Sequence, residues 1–580
     1  MSKGFGAVAI LALLLAWPAI FPMPVEAQGP GGPALTIIGR AVDEHGMGIP
    51  EASVRVLVDG KPRAILVEGR EEDQAQTLSD GSFVLRLSLP EGELRAAREG
   101  RVEITLALTK PSYAPRSLDV KMDQIAQMRG RLLVDVGEVV LERHRNAAFF
   151  IATATFIVVL ALISLGVIHE TMASLAGAVL LLAVTYMAGA AHPDFYILDF
   201  EDAVESIDFD AIFLVMAMMI MVALIGKTGV FRWLAFVAYR VARGRVWYLA
   251  ALLTVIAALA SAFLDNVTVM LLMTPITIEI ALIMGIHPSF LIIPEMFSSN
   301  IGGTATLVGG PPCIMVGSYA GLGFSDFLIH MTPIAFISTA VLIVMLKLLY
   351  GREYEKARAG ASPAMLKKLE ADSRITDPVL LRKALITFGL TIVLFLIGDL
   401  FHMPPCVAAL IGATTLLIWV RPPFEEMLKE VSWTTLLFFI ALFIMAGGIG
   451  EVGLIQMAAE AIEQKAGDNL ALATTLVTWL SGLASGVIGN VPFTAAMLPL
   501  VSFLTKGIPG AESGVLYWAL VVGACFGGNF TVIGSESNMV AASLADQAGY
   551  RISFGDFLKV GIPVTIATIL SAMIWLLIRY

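Results

Sequence analysis

A carboxylate, side-chain amides and paired glycines stand inside long apolar segments of this chain. One such stretch reads Ser261-Ala262-Phe263-Leu264-Asp265-Asn266-Val267-Thr268, and the next reads Asn300-Ile301-Gly302-Gly303-Thr304-Ala305-Thr306. An Asp at the centre of an apolar helix costs about 2.5–3.5 kcal/mol on insertion scales, so it marks an ion or substrate path. Amide oxygens, hydroxyls and carbonyls freed by a helix break are hard donors that suit Na+. The N-terminal ends of half-helices suit an anion instead. The residues alone leave open which of the two is carried. Asp265 reads as a cation ligand or proton carrier, with N-cap of the following helix as its alternative role. Asn266 and Asn490 read as ion ligands or as backbone braces, and Glu279 and Glu295 as solvated or structural.

The pattern is written twice. Leu259-Ala260-Ser261, Asn266-Val267, Met273 and Pro275 recur 224 positions on as Leu483-Ala484-Ser485, Asn490-Val491, Met497 and Pro499. Gly302-Gly303, Thr306 and Gly309 recur 225 positions on as Gly527-Gly528, Thr531 and Gly534. The second copy adds Asn529, Ser535, Glu536 and Asn538, and has Gly489 where the first has Asp265. The two sites are therefore not equivalent, and a carboxylate-coupled step belongs to the first.

These segments need a membrane around them. The chain has 580 residues, 57% hydrophobic and 15% charged, with mean hydropathy +0.82. Spans are expected at 148–167, 172–188 and 211–225. A re-entrant hairpin follows at 248–284 with its tip at Asp265-Asn266, then a broken crossing at 290–319 and a span at 327–350. Basic residues after the third span (Lys227, Arg232, Arg240, Arg243, Arg245) and in the loop 347–383 place those loops in the cytoplasm. An odd number of crossings separates the copies, which makes an inverted repeat: repeat one 147–350, a cytoplasmic linker 351–383, and repeat two 384–580. No basic tract suggests nucleic acid, and the histidines show no metal-ligand spacing.

Residues 1–27 read as a secretory signal cleaved after Ala27, with an uncleaved anchor as the alternative. From 33 to 143 the pattern alternates with period two around the turns Asp59-Gly60 and Asp80-Gly81, which predicts a small β-sandwich outside the membrane. No catalytic set appears in it, so an interaction module with an unknown external partner is expected, and no enzyme. Its order Gly39-x-x-x-Asp43, Gly48-Ile49-Pro50, Ser79-Asp80-Gly81-Ser82-Phe83 and Ser112-Tyr113 resembles the carboxypeptidase regulatory-like domain.

The paired motifs from 147 to 580 resemble the ion transporter superfamily, in the branch of arsenite permeases, D-type sodium/proton antiporters and the P-protein, with a citrate-transporter-like domain. That resemblance implies an elevator-type fold, scaffold helices near 148–190 and 384–420, a homodimer and Na+ or H+ as coupling ion. It carries ion or substrate contacts to Asp265, Asn266, Thr268, Asn300, Gly302, Gly303, Thr304 and Thr306. In the second copy these are Asn490, Gly528, Asn529, Thr531, Ser535, Glu536 and Asn538. Na+ is expected at Asp265, Asn266, Gly303, Asn490 and Asn529. The chain departs from the branch at Gly310-Pro311-Pro312-Cys313, where Asp-Pro-Pro-Asn is usual, and at Glu536, where a small residue is usual. Na+/H+ antiport or Na+-coupled transport in a bacterial inner membrane is the resulting expectation. An arsenite or dicarboxylate permease is one alternative, and a non-transporting sensor acting through the β-domain is another.

Overall fold

The computed structural model describes residues 34–356 and 369–580, apart from short stretches within 44–130, at 372 and within 456–468. The expected signal at 1–27 lies outside the described residues, as does 357–368 of the expected linker. Two compact units result, Met1–His144 and Arg145–Tyr580.

The first unit is the expected β-domain. Strand β1 (Ala34–Val42) pairs antiparallel with Ser82–Ser88, and Ser53–Val58 pairs antiparallel with Ile104–Thr109. Alternation turns Leu35 and Ile37, Val54 and Val56, Phe83 and Leu85, and Leu106 and Leu108 into one shared core. Asp59 and Gly60 both take positive φ, 50° and 74°. Their backbone twist matches that of the strands they join. One strand goes beyond the alternating stretches read from the sequence: Arg131–Val140 lies parallel to β1 and closes the unit with its last residues.

The second unit is helical. Among the described residues nine helices are long and apolar enough to cross a membrane. Its first half contains α1 (Ala147–Ser164), α2 (Glu170–Val184), α3 (Phe200–Glu205), α4 (Phe209–Gly226) and α5 (Val230–Ala242). Then come α6 (Val246–Ser261), α7 (Asn266–Ile283), α8 (Ser289–Gly302), α9 (Pro311–Ala320) and α10 (Phe324–Lys356). The second half repeats the order with α11 (Pro378–Gly398), α12 (Pro405–Val420), α13 (Phe424–Glu430) and α14 (Trp433–Glu451). It continues through α15 (Leu470–Ile488), α16 (Asn490–Gly507), α17 (Val515–Gly527), α18 (Glu536–Gln547) and α19 (Phe554–Arg579). The acidic loop between α2 and α4 consists largely of helix caps: Asp199 and Asp202 form a capping box on α3, and Asp208 accepts from the Ala211 amide to start α4.

Two helical hairpins carry the motifs. Helices α6 and α7 turn at 262–265, and α15 and α16 turn at Gly489 alone. Each hairpin is locked to the break that follows it by the same pair of hydroxyls. Thr306 Oγ1 donates to the Ala262 carbonyl, and its mate Thr531 Oγ1 donates to the Gly486 carbonyl at 2.6 Å. Ser485 Oγ donates to the Ala524 carbonyl at 2.6 Å, where the first copy pairs Ser299 with Ser261 at 3.2 Å.

The end of α8 presses on α6 so closely that a Cβ on Gly302 would stand 2.2 Å from the Ala258 oxygen; on Gly527 it would stand 2.3 Å from the Gly482 oxygen. Those neighbours are backbone and cannot swing aside. Gly302→Ala and Gly527→Ala should each destabilise the protein by about 3 kcal/mol or more, the upper range for overpacking. Gly389→Ala, where nothing lies within 4 Å, should be neutral or mildly stabilising. Thermal unfolding in detergent measures the difference.

Candidate functional site

Both helix breaks fall within apolar segments, where a peptide group without a partner is expensive. The chain answers with amide side chains. Asn300, at the end of α8 and 1% exposed, is the centre of the network. Its Oδ1 accepts from Asn266 Nδ2 at 2.9 Å, Ser535 Oγ at 2.9 Å and Ser537 Oγ at 3.2 Å. Its Nδ2 donates to Asn529 Oδ1 at 2.8 Å and to Asn538 Oδ1 at 3.2 Å. The one side chain thus joins the tip of the first hairpin to the break and half-helix of the second repeat. Asn529 and Asn538 pass the connection to the backbone, donating to the Phe297 carbonyl at 3.2 Å and the Gly528 carbonyl at 2.9 Å.

Several expected ligands are therefore occupied as braces. Asn529 uses both ends of its amide, and Asn538 likewise. Thr304 donates to the Ile301 carbonyl of its own helix end, and Thr306 and Thr531 hold the hairpins. The Gly303 carbonyl accepts from the Cys313 thiol at 3.4 Å. Gly302 makes room for α6. Glu295 is fully buried on α8; its Oε1 accepts from Thr277 Oγ1 at 2.7 Å and its Oε2 has no hydrogen-bond partner among the described residues, whereas Glu279 is exposed.

Of the remaining expected residues, Asp265, Thr268 and Glu536 line a cavity of about 350 Å³, and Asn490 lies outside it. Asp265, Thr268, Gly310, Pro311 and Glu536 form one part of its wall, and Lys227, Glu430 and Ser432 another. Asp265 does cap α7, accepting from the Thr268 amide at 3.2 Å, and the same side chain also lines the cavity. Asn266 Oδ1 is buried and has no hydrogen-bond partner. It points at the cavity wall, since a Cβ on Gly310 would stand 3.2 Å from it. An orphaned amide oxygen beside two carboxylates is a donor set that fits a hard cation. Among the described residues Lys227 is the only basic one in the wall, and its Nζ pairs with Glu430 Oε1 at 3.0 Å. That leaves Asp265 and Glu536 without a cationic partner there.

Neither half-helix start is built for an anion. Helix α9 begins with Pro311-Pro312, which have no N–H to donate, and the Cys313 and Ile314 amides already bond the Gly310 carbonyl. Helix α18 begins with Glu536 itself, whose carboxylate sits where a bound anion would profit from the helix dipole. Sequence reasoning missed Ser537 and the Lys227–Glu430 pair. Ser537 was within reach, because the run Ser535-Glu536-Ser537-Asn538 has no apolar residue in an otherwise apolar region.

A family model described as "Citrate transporter" matches residues 158–523. The chain belongs to the citrate transporter family. Within curated relatives it is 38% identical over 431 residues to an uncharacterized transporter of Mycobacterium tuberculosis, covering 74% of this chain and 98% of that protein. It is 37% identical over 435 residues to the 46 kDa membrane protein of Mycobacterium leprae, with the same two coverages. Against the human P protein identity is 33% over 513 residues, covering 74% of this chain and 60% of that protein. Among solved structures the YdaH transporter of Alcanivorax borkumensis matches with TM-score 0.51 and 15% identity, over 70% of this chain and 98% of that one. The last comparison shows the fold. Together with the apolar helices, the family makes this an integral membrane transporter.

Asn300→Leu matches the central amide in number and branching of heavy atoms and removes all five of its hydrogen bonds. Each buried group left unpaired costs about 1–3 kcal/mol, so the melting temperature should fall sharply. Asn490→Leu should be much milder, because among the described residues no hydrogen bond holds the Asn490 side chain; its backbone carbonyl accepts from Thr494. Parallel melting curves test the contrast.

Proposed function

We propose that the protein is a secondary active cation transporter that exchanges Na+ for H+, with Asp265, Asn266 and Glu536 as the coupling site. The observation that carries this reading is the cavity wall: two carboxylates without a cationic partner, beside an amide oxygen without a donor. Two carboxylates facing one poorly solvated space repel each other, and either a hard cation or a proton relieves the repulsion. Competition between the two for one site is exchange. Thr268, whose hydroxyl lies 3.4 Å from Asp265 Oδ2, adds a further oxygen at the wall.

The family description favours a second reading, transport of an anion such as citrate or another carboxylate. Prolines at the start of α9 and a glutamate at the start of α18 weigh against it, because both remove the positive end that would hold a carboxylate group. The resemblance supplies the rest of the picture: an elevator movement of the hairpins and broken helices against α1, α2, α11 and α12, and a homodimer formed through those scaffold helices. Basic loops at 227–245 and 347–383 favour an orientation with these loops inside and the β-domain outside, where it meets a partner; the mycobacterial relatives favour a bacterial inner membrane.

Proteoliposomes containing a pH-sensitive dye test the proposal. A Na+ pulse should drive proton movement through wild type. Asp265→Asn and Glu536→Gln should each lower the rate by about a hundredfold, the scale of a lost ion ligand. Citrate-driven flux that survives both substitutions, with no response to Na+, would establish the anion reading instead.

A further inference from the structure

Helix α5 has 13 residues and is about 20 Å long, too short to cross an apolar layer about 30 Å thick. Left-handed residues set it off at both ends: Gly229 (φ 76°) before it, and Arg243 (φ 48°) and Gly244 (φ 78°) after it. Its side chains fall into three rows. Phe231, Ala235, Ala238 and Ala242 are buried where the helix packs against α6 and α7, the two limbs of the first hairpin. Trp233, Val237 and Val241 recur every fourth residue as an apolar row, with Trp233 and Val241 exposed. Arg232 and Arg240, both exposed, lie along the row beside it. A helix with a protein face, an apolar face and a cationic face fits the boundary between hydrocarbon and headgroups.

No aspartate or glutamate occurs from Ala211 to Leu264. Among the described residues Arg232, Arg240 and Arg243 form no ion pair. Cations in the last turn complement the helix dipole, which accounts for Arg240 and Arg243. It does not account for Arg232, the third residue of α5, where the dipole disfavours a cation. Nor does the inward preference of basic loops, which acts on charge and does not require a row beside an exposed tryptophan. The internal repeat supplies an independent comparison. Lys227, Arg232, Arg240, Arg243 and Arg245 have Glu451, Gln456, Gln464, Gly467 and Asn469 as their mates 224 positions on. The copy keeps none of the five charges, so the repeat architecture does not need them.

We propose that α5 is a docking surface for anionic phospholipid, with Arg232 and Arg240 on the headgroup phosphates and Trp233, Val237 and Val241 against the acyl chains. A guanidinium matches a phosphodiester through paired N–H groups, and is the usual choice where phosphate is bound in two-point fashion. Arg243 and Arg245, both exposed, continue the charge past the end of the helix, and the Arg245 guanidinium lies 5.5 Å from the Tyr248 ring centroid. A lipid fits this surface better than free phosphate, because the cationic row adjoins an exposed apolar row that phosphate would leave uncovered. Since α5 packs on both limbs of the first hairpin, bound lipid braces the element that carries Asp265.

Native mass spectrometry of the full-length protein tests this, with phosphatidylglycerol and phosphatidylcholine titrated separately in detergent. Wild type should hold phosphatidylglycerol the more tightly. Arg232→Gln combined with Arg240→Gln should weaken phosphatidylglycerol binding about twentyfold, at about fivefold per arginine, and leave phosphatidylcholine binding unchanged. Arg232→Lys with Arg240→Lys keeps both charges and should keep most of the preference. Elution as a single sharp species on size exclusion shows that each variant is folded. Arg352→Gln with Arg382→Gln removes the same charge from exposed positions in the other basic loop and should bind as wild type does. Equal affinity of wild type for the two lipids, or an unchanged preference in Arg232→Gln/Arg240→Gln, would overturn the site. An equal loss in Arg352→Gln/Arg382→Gln would do the same, by showing a general effect of charge. Displacement of phosphatidylglycerol by inorganic phosphate at comparable concentration would overturn the lipid as its occupant.

Discussion

A helix broken inside an apolar layer leaves peptide groups that water cannot reach, and everything else in this site follows from how those groups are satisfied. Asn538 meets the Gly528 and Thr531 carbonyls of the second break, and Asn300 holds Asn538 and Asn529 in place. The Asn300 amide links the Asn266 hairpin tip with Ser535, Ser537, Asn529 and Asn538 of the other repeat, so the two halves share one polar centre. The hydroxyl locks of Thr306 and Thr531 then pin each hairpin to its own break. With the braces in place, Asp265 and Glu536 are left on the cavity wall, and one oxygen of Asn266 lies buried behind it without a partner. A poorly solvated cavity makes those few charges count, because interactions there are far stronger than in water.

The internal symmetry is kept in the scaffold and abandoned at the chemistry. Gly302 and Gly527 allow the same close approach, and Thr306 and Thr531 make the same bond. At the starts of the second half-helices the copies diverge: Pro311-Pro312-Cys313 against Glu536-Ser537-Asn538. The positions that mate with the Asn300–Asn538 amide contact are the buried thiols of Cys525 and Cys313. One copy is polar and tightly linked, the other apolar. A single carboxylate, Glu536, borders both hairpin tips.

Much of this was legible in the sequence because it is rare for asparagine, aspartate and paired glycines to recur in register within apolar segments. The hairpins, both breaks and the repeat follow from that register. Asp265 was legible both as cap and as cavity residue, since both roles use the same carboxylate. Other features have no local mark. Glu295 reads like any acid near a helix end, and only packing shows it wholly buried against Thr277. The split of the amides into braces and ligands depends on which oxygen has a donor nearby, and spacing along a chain does not encode that. The strand Arg131–Val140 pairs in parallel with the first strand of its unit, a contact between sequence-distant segments that alternation cannot reveal.

The central claim is that this site carries a cation and not a carboxylate anion. Currents recorded from the reconstituted protein on a solid-supported membrane address it most directly, through separate concentration jumps of Na+ and of citrate. The account predicts a transient current on the Na+ jump, and none on a citrate jump at constant Na+ and pH. A current evoked by citrate under those conditions would contradict it.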